Sequence, residues 1–497
     1  MSSVYKSALQ KTSTYVIATA AGRAASFLML PVYTRFLTPA DYGVLELLTL
    51  NYTLFTTLVG MRYADSLFYY FFKAPDQKSR DETVSNAFIG AALLGCGTLL
   101  LGWVFAPYLS RFFFQTPAYA GFVRLSLASY TFLLPVESGC AYLRALNRSG
   151  TYVWISLLRL GLQLGLNVVL LVGFQLGVAA MLWTEIIAGC VCAIILAKYC
   201  LSGRRITFRF KTFFQFVRYS MPYAGGGLCM MFIHFGDRWF LQRTVSLAEL
   251  GVYALAYKLG MVVENVVTPY AIYWNSQVFE ILRHPNGERA YVRFATYVAL
   301  GLTFVAILIT VFGKPVLHVM VTPGFQAAAP LAPCIAFAYV LRALDGHFRS
   351  IFRVEAKTGR DASIMAVGAL ACLAAYAGLI PVYKLWGAAF ATLLGFSVML
   401  LYGLHQAQKL RRFPFEFRRL SQILACGAVT ILFFYWLGIE GFWRQLATGV
   451  GVACLFPALL VVTRFFHKDE VQMLRAATAV IQRFSRSDAQ PVVEGKG

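Results

Sequence analysis

Charge is what this sequence has least of. Asp, Glu, Lys and Arg make up 13% of its 497 residues, against about 25% in an average soluble domain. That shortage excludes a soluble globular protein, a disordered chain and a nucleic-acid-binding protein. Acidic residues are scarcest, at 22 against 44 Lys and Arg. With six histidines and no Cys-x-x-Cys pair, no zinc ligand set exists. The ten cysteines lie in or at the end of apolar runs and read as small packing residues. No GxxxxGK motif followed by Ser or Thr occurs, so phosphate binding of the P-loop kind is not encoded. No Ser/His/Asp constellation stands out, and no outer loop is long enough to hold a glycosyl-transfer site. The first apolar run, from Ser13, is too long and too interrupted for a cleavable signal peptide.

Apolar sequence fills the rest. Runs fall at 13–33, 42–70, 83–107, 119–142, 152–173, 177–198, 214–238, 250–274, 291–313, 328–350, 361–381, 386–407, 420–438 and 444–463. Each is close to the roughly 20 residues that cross a bilayer as a helix. Barrel-type alternation is missing, and an open sheet cannot satisfy its backbone in lipid. The expected fold is an all-α polytopic membrane protein of about 14 spans.

The basic residues give an orientation. With the N-terminus inside, 31 Lys and Arg fall in cytoplasmic segments, seven in outer loops and six within spans. This split fits an even span count with both termini in the cytoplasm. It also gives the net charge of +22 a topological meaning.

The chain repeats itself. Arg35, Ala40, Asp41, Gly43 and Val44 match Arg243, Ala248, Glu249, Gly251 and Val252 at an offset of 208. Arg144, Arg148, Ser149 and Gly150 match Arg353, Lys357, Thr358 and Gly359 at 209. The period covers six helices, so the copies share one orientation and form two parallel six-helix bundles. The expected divisions are 1–200, the basic link 201–213, the second bundle 214–410, two appended helices in 411–466, and a tail 467–497. In the tail, Val471, Leu474, Ala477, Thr478 and Ile481 fall at helical spacing, as in a helix on the inner leaflet or in a solvated one.

Charges inside spans cost roughly 2.5–3.5 kcal/mol each on insertion scales, so a group of them implies a filled or wet interior. The set is Arg23, Glu46, Arg62, Asp65, Arg124, Arg159, Glu185, Asp237, Arg238, Lys258, Glu264, Arg342 and Asp345, with His234 nearby. Arg62 with Asp65, and Arg342 with Asp345, are three apart on one helix face and read as self-neutralising pairs. Arg23 and Lys258 have no partner one turn away and are candidates to line a cavity. Glu46, Glu185, Asp237 and Glu264 are candidate proton or sodium sites, a coupling that the pattern does not demonstrate. Pro222 with Gly225, Gly226 and Gly227 gives the seventh span a candidate hinge, or equally a close-packing face. No cofactor or metal is expected.

The stretch Arg23–Leu48, RAASFLMLPVYTRFLTPADYGVLELL, resembles the start of polysaccharide-export flippases of the Wzx/RfbX type. The element R-F-L-T-P-x-D-Y-G, Arg35 to Gly43, is fairly specific for them. The resemblance extends through the span count, the basic link and the Arg144–Gly150 loop. That family shares a superfamily with multidrug extrusion (MATE) transporters and lipid II flippases. It implies a V-shaped pair of six-helix bundles around a central cavity, in the bacterial cytoplasmic membrane. It also implies movement of undecaprenyl-diphosphate-linked oligosaccharide by alternating access, with membrane lipids and polysaccharide-polymerase machinery as partners. Family members hold the diphosphate and acidic sugars with cations on helices 1, 2, 7 and 8. Arg23, Arg62, Arg238 and Lys258 fit that description by helix and depth. The other readings are a cation-coupled efflux pump, a membrane-embedded glycan polymerase or ligase, and a scaffold.

Overall fold

The computed structural model describes residues 22, 25, 27–60, 62–203 and 206–466. Arg23, the link residues Arg204 and Arg205, and the tail 467–497 lie outside them. The described residues form helices and contain no strand.

The helices are α1 (Leu30–Phe36), α2 (Pro39–Lys73), α3 (Gln77–Phe114), α4 (Ala120–Ala145), α5 (Ser149–Gly173), α6 (Val178–Leu201), α7 (Phe210–Leu241), α8 (Leu247–Ile281), α9 (Gly287–Met320) and α10 (Ala332–Phe348). The helical stretch Thr358–Leu410 supplies α11 (358–383) and α12 (385–410), followed by α13 (Phe417–Leu437) and α14 (Phe442–Val462). Among the described residues, nine stretches are long and apolar enough to cross a membrane. The longest has 53 residues. Straight, it would measure about 80 Å at 1.5 Å per residue, far beyond a core of about 30 Å. It folds back at Lys384, whose φ of 50° and ψ of −121° are non-helical. Gly387 lies against the Leu379 carbonyl, Gly395 against Cys372 and Gly368 against Met399, the register of two antiparallel arms.

Among the described residues the helices pack into two bundles, α2–α6 with the seven residues of α1, and α7–α12. Helices α13 and α14 are appended through Ile423, Cys426, Val452 and Phe456, which pack on Ile307 and Val311 of α9. Large apolar side chains such as Leu100, Trp103, Leu432 and Trp436 point outward, as a lipid solvent demands.

The internal repeat is visible in atomic detail. Thr38 and Asp41 form a capping box at the start of α2, and Ser246 and Glu249 form another at the start of α8. Each satisfies orphan N–H groups at a helix N-terminus. The two helices then cross with almost no space between them. A Cβ on Gly43 would strike the Leu247 carbonyl, and one on Gly251 would strike the Pro39 carbonyl. This crossing lies toward the end of α2 and α8 that the charge rule assigns to the outside.

Gly251→Val is therefore expected to hold this seam open. Spin labels at Ala40→Cys and Ala248→Cys, in a cysteine-free background, should report a longer distance than in the parent. An unchanged distance contradicts the seam.

Both α2 and α8 are broken. Helix α2 passes through a wide turn at Thr56–Gly60, and Arg62 then takes a left-handed φ of 57°. Helix α8 is interrupted at Met261. Helix α7 belongs to both bundles. On its inner half, Tyr70 stacks on Phe216 at 4.9 Å and Tyr69 on Tyr219 at 4.8 Å, against the first bundle. On its outer half, Tyr376 of α11 donates to the Ile233 carbonyl at 3.4 Å, against the second. Pro222 and the three glycines lie between these two anchorages. A Cβ on Gly225 or Gly226 would meet nothing within 4 Å, whereas Gly227 lies beside Thr57 in the wide turn of α2.

Candidate functional site

The space below the Gly43–Gly251 crossing is a cavity of about 630 Å³. It draws on α1, α2, α4, α5 and α6 from one bundle and on α7 and α8 from the other. Enclosed ligand sites span about 300–1,000 Å³, so its size suits a polar head group.

On the second-bundle side sits Arg238, 2% exposed. Its Nε donates to Glu46 Oε1 at 2.7 Å and its Nη1 to Asp237 Oδ1 at 2.8 Å. The guanidinium also lies 4.0 Å from the Tyr257 ring centroid. Asp237 accepts from Tyr253 Oη at 2.5 Å through its other oxygen. Arg238 is thus a charge whose field is absorbed by two carboxylates. It binds α7 to α2 across the bundle interface. Lys258 lines the same cavity one residue beyond Tyr257. Among the described residues its ammonium has no ion pair or hydrogen bond. Among the described cations of the cavity it is the one that no carboxylate holds.

On the first-bundle side α5 presents Arg159, Gln163 and Asn167, one turn apart on one face. Arg159 Nη2 pairs with Glu185 Oε2 at 3.3 Å, and Gln163 Nε2 donates to Glu185 Oε1 at 2.7 Å. Asn167 Nδ2 donates to Tyr33 Oη at 3.1 Å. Tyr42, Thr49 and Tyr52 complete this wall.

The structure brings Arg238, Lys258, Glu46 and Glu185 to one cavity and keeps Asp237 directly behind it. Arg62 stands elsewhere. It pairs with Asp65 at 2.5 Å, leaves 66% of its side chain exposed, and lies 5.5 Å from the Tyr223 ring at the inner end. Glu264 faces a second, smaller cavity of about 230 Å³ with Arg342, Arg349 and Asp361. The three other carboxylates named for ion coupling are held by arginines, Glu46 and Asp237 by Arg238 and Glu185 by Arg159. Sequence reading flagged Arg159 as an intramembrane charge but passed over Gln163 and Asn167. The signal was present: three polar residues at four-residue spacing in a stretch, 157–173, otherwise built of Leu, Gly and Val.

The model of the family described as polysaccharide biosynthesis protein matches residues 8–273. A search of curated protein sequences finds no match. Among solved structures, the fold is similar to a lipid II flippase, MurJ, in an inward closed conformation. The TM-score is 0.75 at 10% identity, over 92% of this chain and 100% of that one. It is also similar to an inward-facing multidrug resistance MATE family transporter of the MOP superfamily. There the TM-score is 0.65 at 13% identity, over 81% of this chain and 96% of that one.

Proposed function

The chain belongs to the polysaccharide biosynthesis protein family, and from that premise we propose that it is a flippase for undecaprenyl-diphosphate-linked oligosaccharide. The observation that carries the reading is the cavity between the bundles, with Lys258, held in no ion pair among the described residues, on one wall and amides, hydroxyls and rings on the other. A glycosylated diphosphate is anionic at one end and hydroxylic at the other. Neither part crosses hydrocarbon unaided. One charge pair at 4 Å contributes about 4 kcal/mol at an effective dielectric near 20, before desolvation. A single free lysine can hold a diphosphate and still release it. The lipid tail remains in the bilayer beside the bundles.

Alternating access needs two seams that open in turn. The Gly43–Gly251 crossing is one. The aromatic contact between the inner halves of α2 and α7 is the other, with the Pro222–Gly227 segment as the joint between the halves of α7. Gly225→Ala with Gly226→Ala is accommodated sterically and raises helix propensity by about 1 kcal/mol per residue. The expected result is slower translocation with unchanged substrate binding. Equal rates in parent and variant remove the hinge from the cycle.

Conditional depletion in the host tests the reading. One undecaprenyl-diphosphate oligosaccharide should accumulate, identified by mass analysis of extracted lipids, while surface glycan falls. An unchanged lipid pool with altered drug susceptibility would favour small-molecule efflux instead.

A further inference from the structure

Three lining residues of the cavity carry buried polar atoms without a hydrogen-bond partner among the described residues. They are Asn167 Oδ1, Tyr42 Oη and Arg159 Nε. Such atoms are costly unless something completes them. Their chemistry is selective. Asn167 donates through its amide nitrogen to Tyr33, and its unpartnered atom is the carbonyl oxygen, an acceptor that requires a donor. A diphosphate at neutral pH is an acceptor throughout and offers it nothing. A sugar hydroxyl, or the N–H of an acetamido group, both fits and donates. Tyr42 Oη can donate to the same sugar or accept from it.

The charge of this wall narrows the choice further. Arg159 is matched by Glu185, with Gln163 on the second carboxylate oxygen. The wall is therefore neutral as a unit, and an anionic sugar reaching the open Nε of Arg159 would have to compete with Glu185 for that charge. Lys258 stands on the other side, on α8.

Building on the flippase reading, we propose that the α5 wall, Gln163 and Asn167 with Tyr42, recognises a neutral sugar next to the diphosphate, while Lys258 holds the diphosphate itself. Substrate selection by sugar and retention by charge then lie on opposite bundles. A head group bridging them senses the separation of the two bundles.

The test uses the purified full chain in lipid nanodiscs and three probes, with binding read by native mass spectrometry. The probes are undecaprenyl diphosphate, the same lipid carrying one N-acetylhexosamine, and the same lipid carrying one hexuronic acid. The parent should bind the N-acetylhexosamine form about tenfold more tightly than the bare diphosphate, the gain expected of two neutral hydrogen bonds. It should show no such gain for the uronic acid. Gln163→Ala with Asn167→Ala should abolish the gain, and an unchanged melting temperature in detergent shows that the variant is folded. Lys258→Ala should weaken all three probes alike. A sugar preference that survives the double variant, or a uronic acid bound as well as the neutral sugar, overturns the assignment and leaves the flippase reading intact. If the parent binds none of the three, the flippase reading itself fails.

Discussion

Lys258→Ala is expected to stop glycan export while the protein inserts and accumulates normally. The side chain makes no ion pair or hydrogen bond among the described residues, so removing it costs only the longer-range attraction of Glu46. What is lost is the positive charge on the cavity wall that no carboxylate holds in an ion pair among the described residues. A hydrogen bond to a charged group is worth about 1.5–3 kcal/mol, or roughly ten- to hundredfold in head-group affinity. Lys258→Arg keeps the charge and should retain most of the export. Surface glycan quantified beside immunoblots of the membrane fraction separates loss of function from loss of protein. Normal export by Lys258→Ala would remove this lysine from the substrate path.

Arg238→Ala should behave in the opposite way and remove the protein itself. Arg238 is buried, and its guanidinium bonds to Glu46, to Asp237 and, at 2.9 Å, to the His234 carbonyl. Deleting it strands two carboxylates in a low-dielectric interior. Breaking a buried pair in this way costs about 3–5 kcal/mol, a large share of the stability of most proteins. Low accumulation and a depressed melting temperature in detergent are the expected results. Adding Glu46→Gln and Asp237→Asn removes the stranded charges and should restore much of the loss. A single variant as stable as the parent would show that the Arg238 network does not hold α7 to α2.

The contrast between these two cations shows where sequence reading ends. Both stand as candidate cavity cations in the sequence, at suitable depths on suitable helices. Their difference depends on Glu46, which lies 192 residues from Arg238 and meets it only when α2 and α7 pack. The ion pairs within one helix were legible, because a three-residue spacing brings their partners together. Arg62 meets Asp65, and Arg342 meets Asp345 at 3.4 Å. In the fold, Asp345 also takes Arg349 at 3.6 Å.

The spans were legible because lipid forces long apolar runs to be helices. The turn between the eleventh and twelfth fell between residues 381 and 386, and the structure bends at Lys384. The repeat was legible because its landmarks are helix caps and crossings, where Thr38–Asp41 and Gly43 do the same work as Ser246–Glu249 and Gly251. The break in α2 was not. Thr56–Gly60 contains no proline, and the contact of its Thr57 with Gly227 of α7 joins residues far apart in the chain. The double docking of α7 was hidden for a similar reason. Its inner half reads as an ordinary aromatic helix start until Phe216 and Tyr219 are seen against Tyr70 and Tyr69 of α2.

Reconstitution tests the central claim most directly. Vesicles would be prepared with and without the purified protein, each loaded with an undecaprenyl-diphosphate oligosaccharide in both leaflets. An impermeant glycosidase added outside then reports how much head group can reach the outer surface. The account predicts that digestion in protein-free vesicles stops at the outer-leaflet share, that the parent protein carries it toward completion, and that Lys258→Ala stops with the empty vesicles. Digestion by the parent that also stops at the outer-leaflet share, in vesicles shown to contain folded protein, would contradict it.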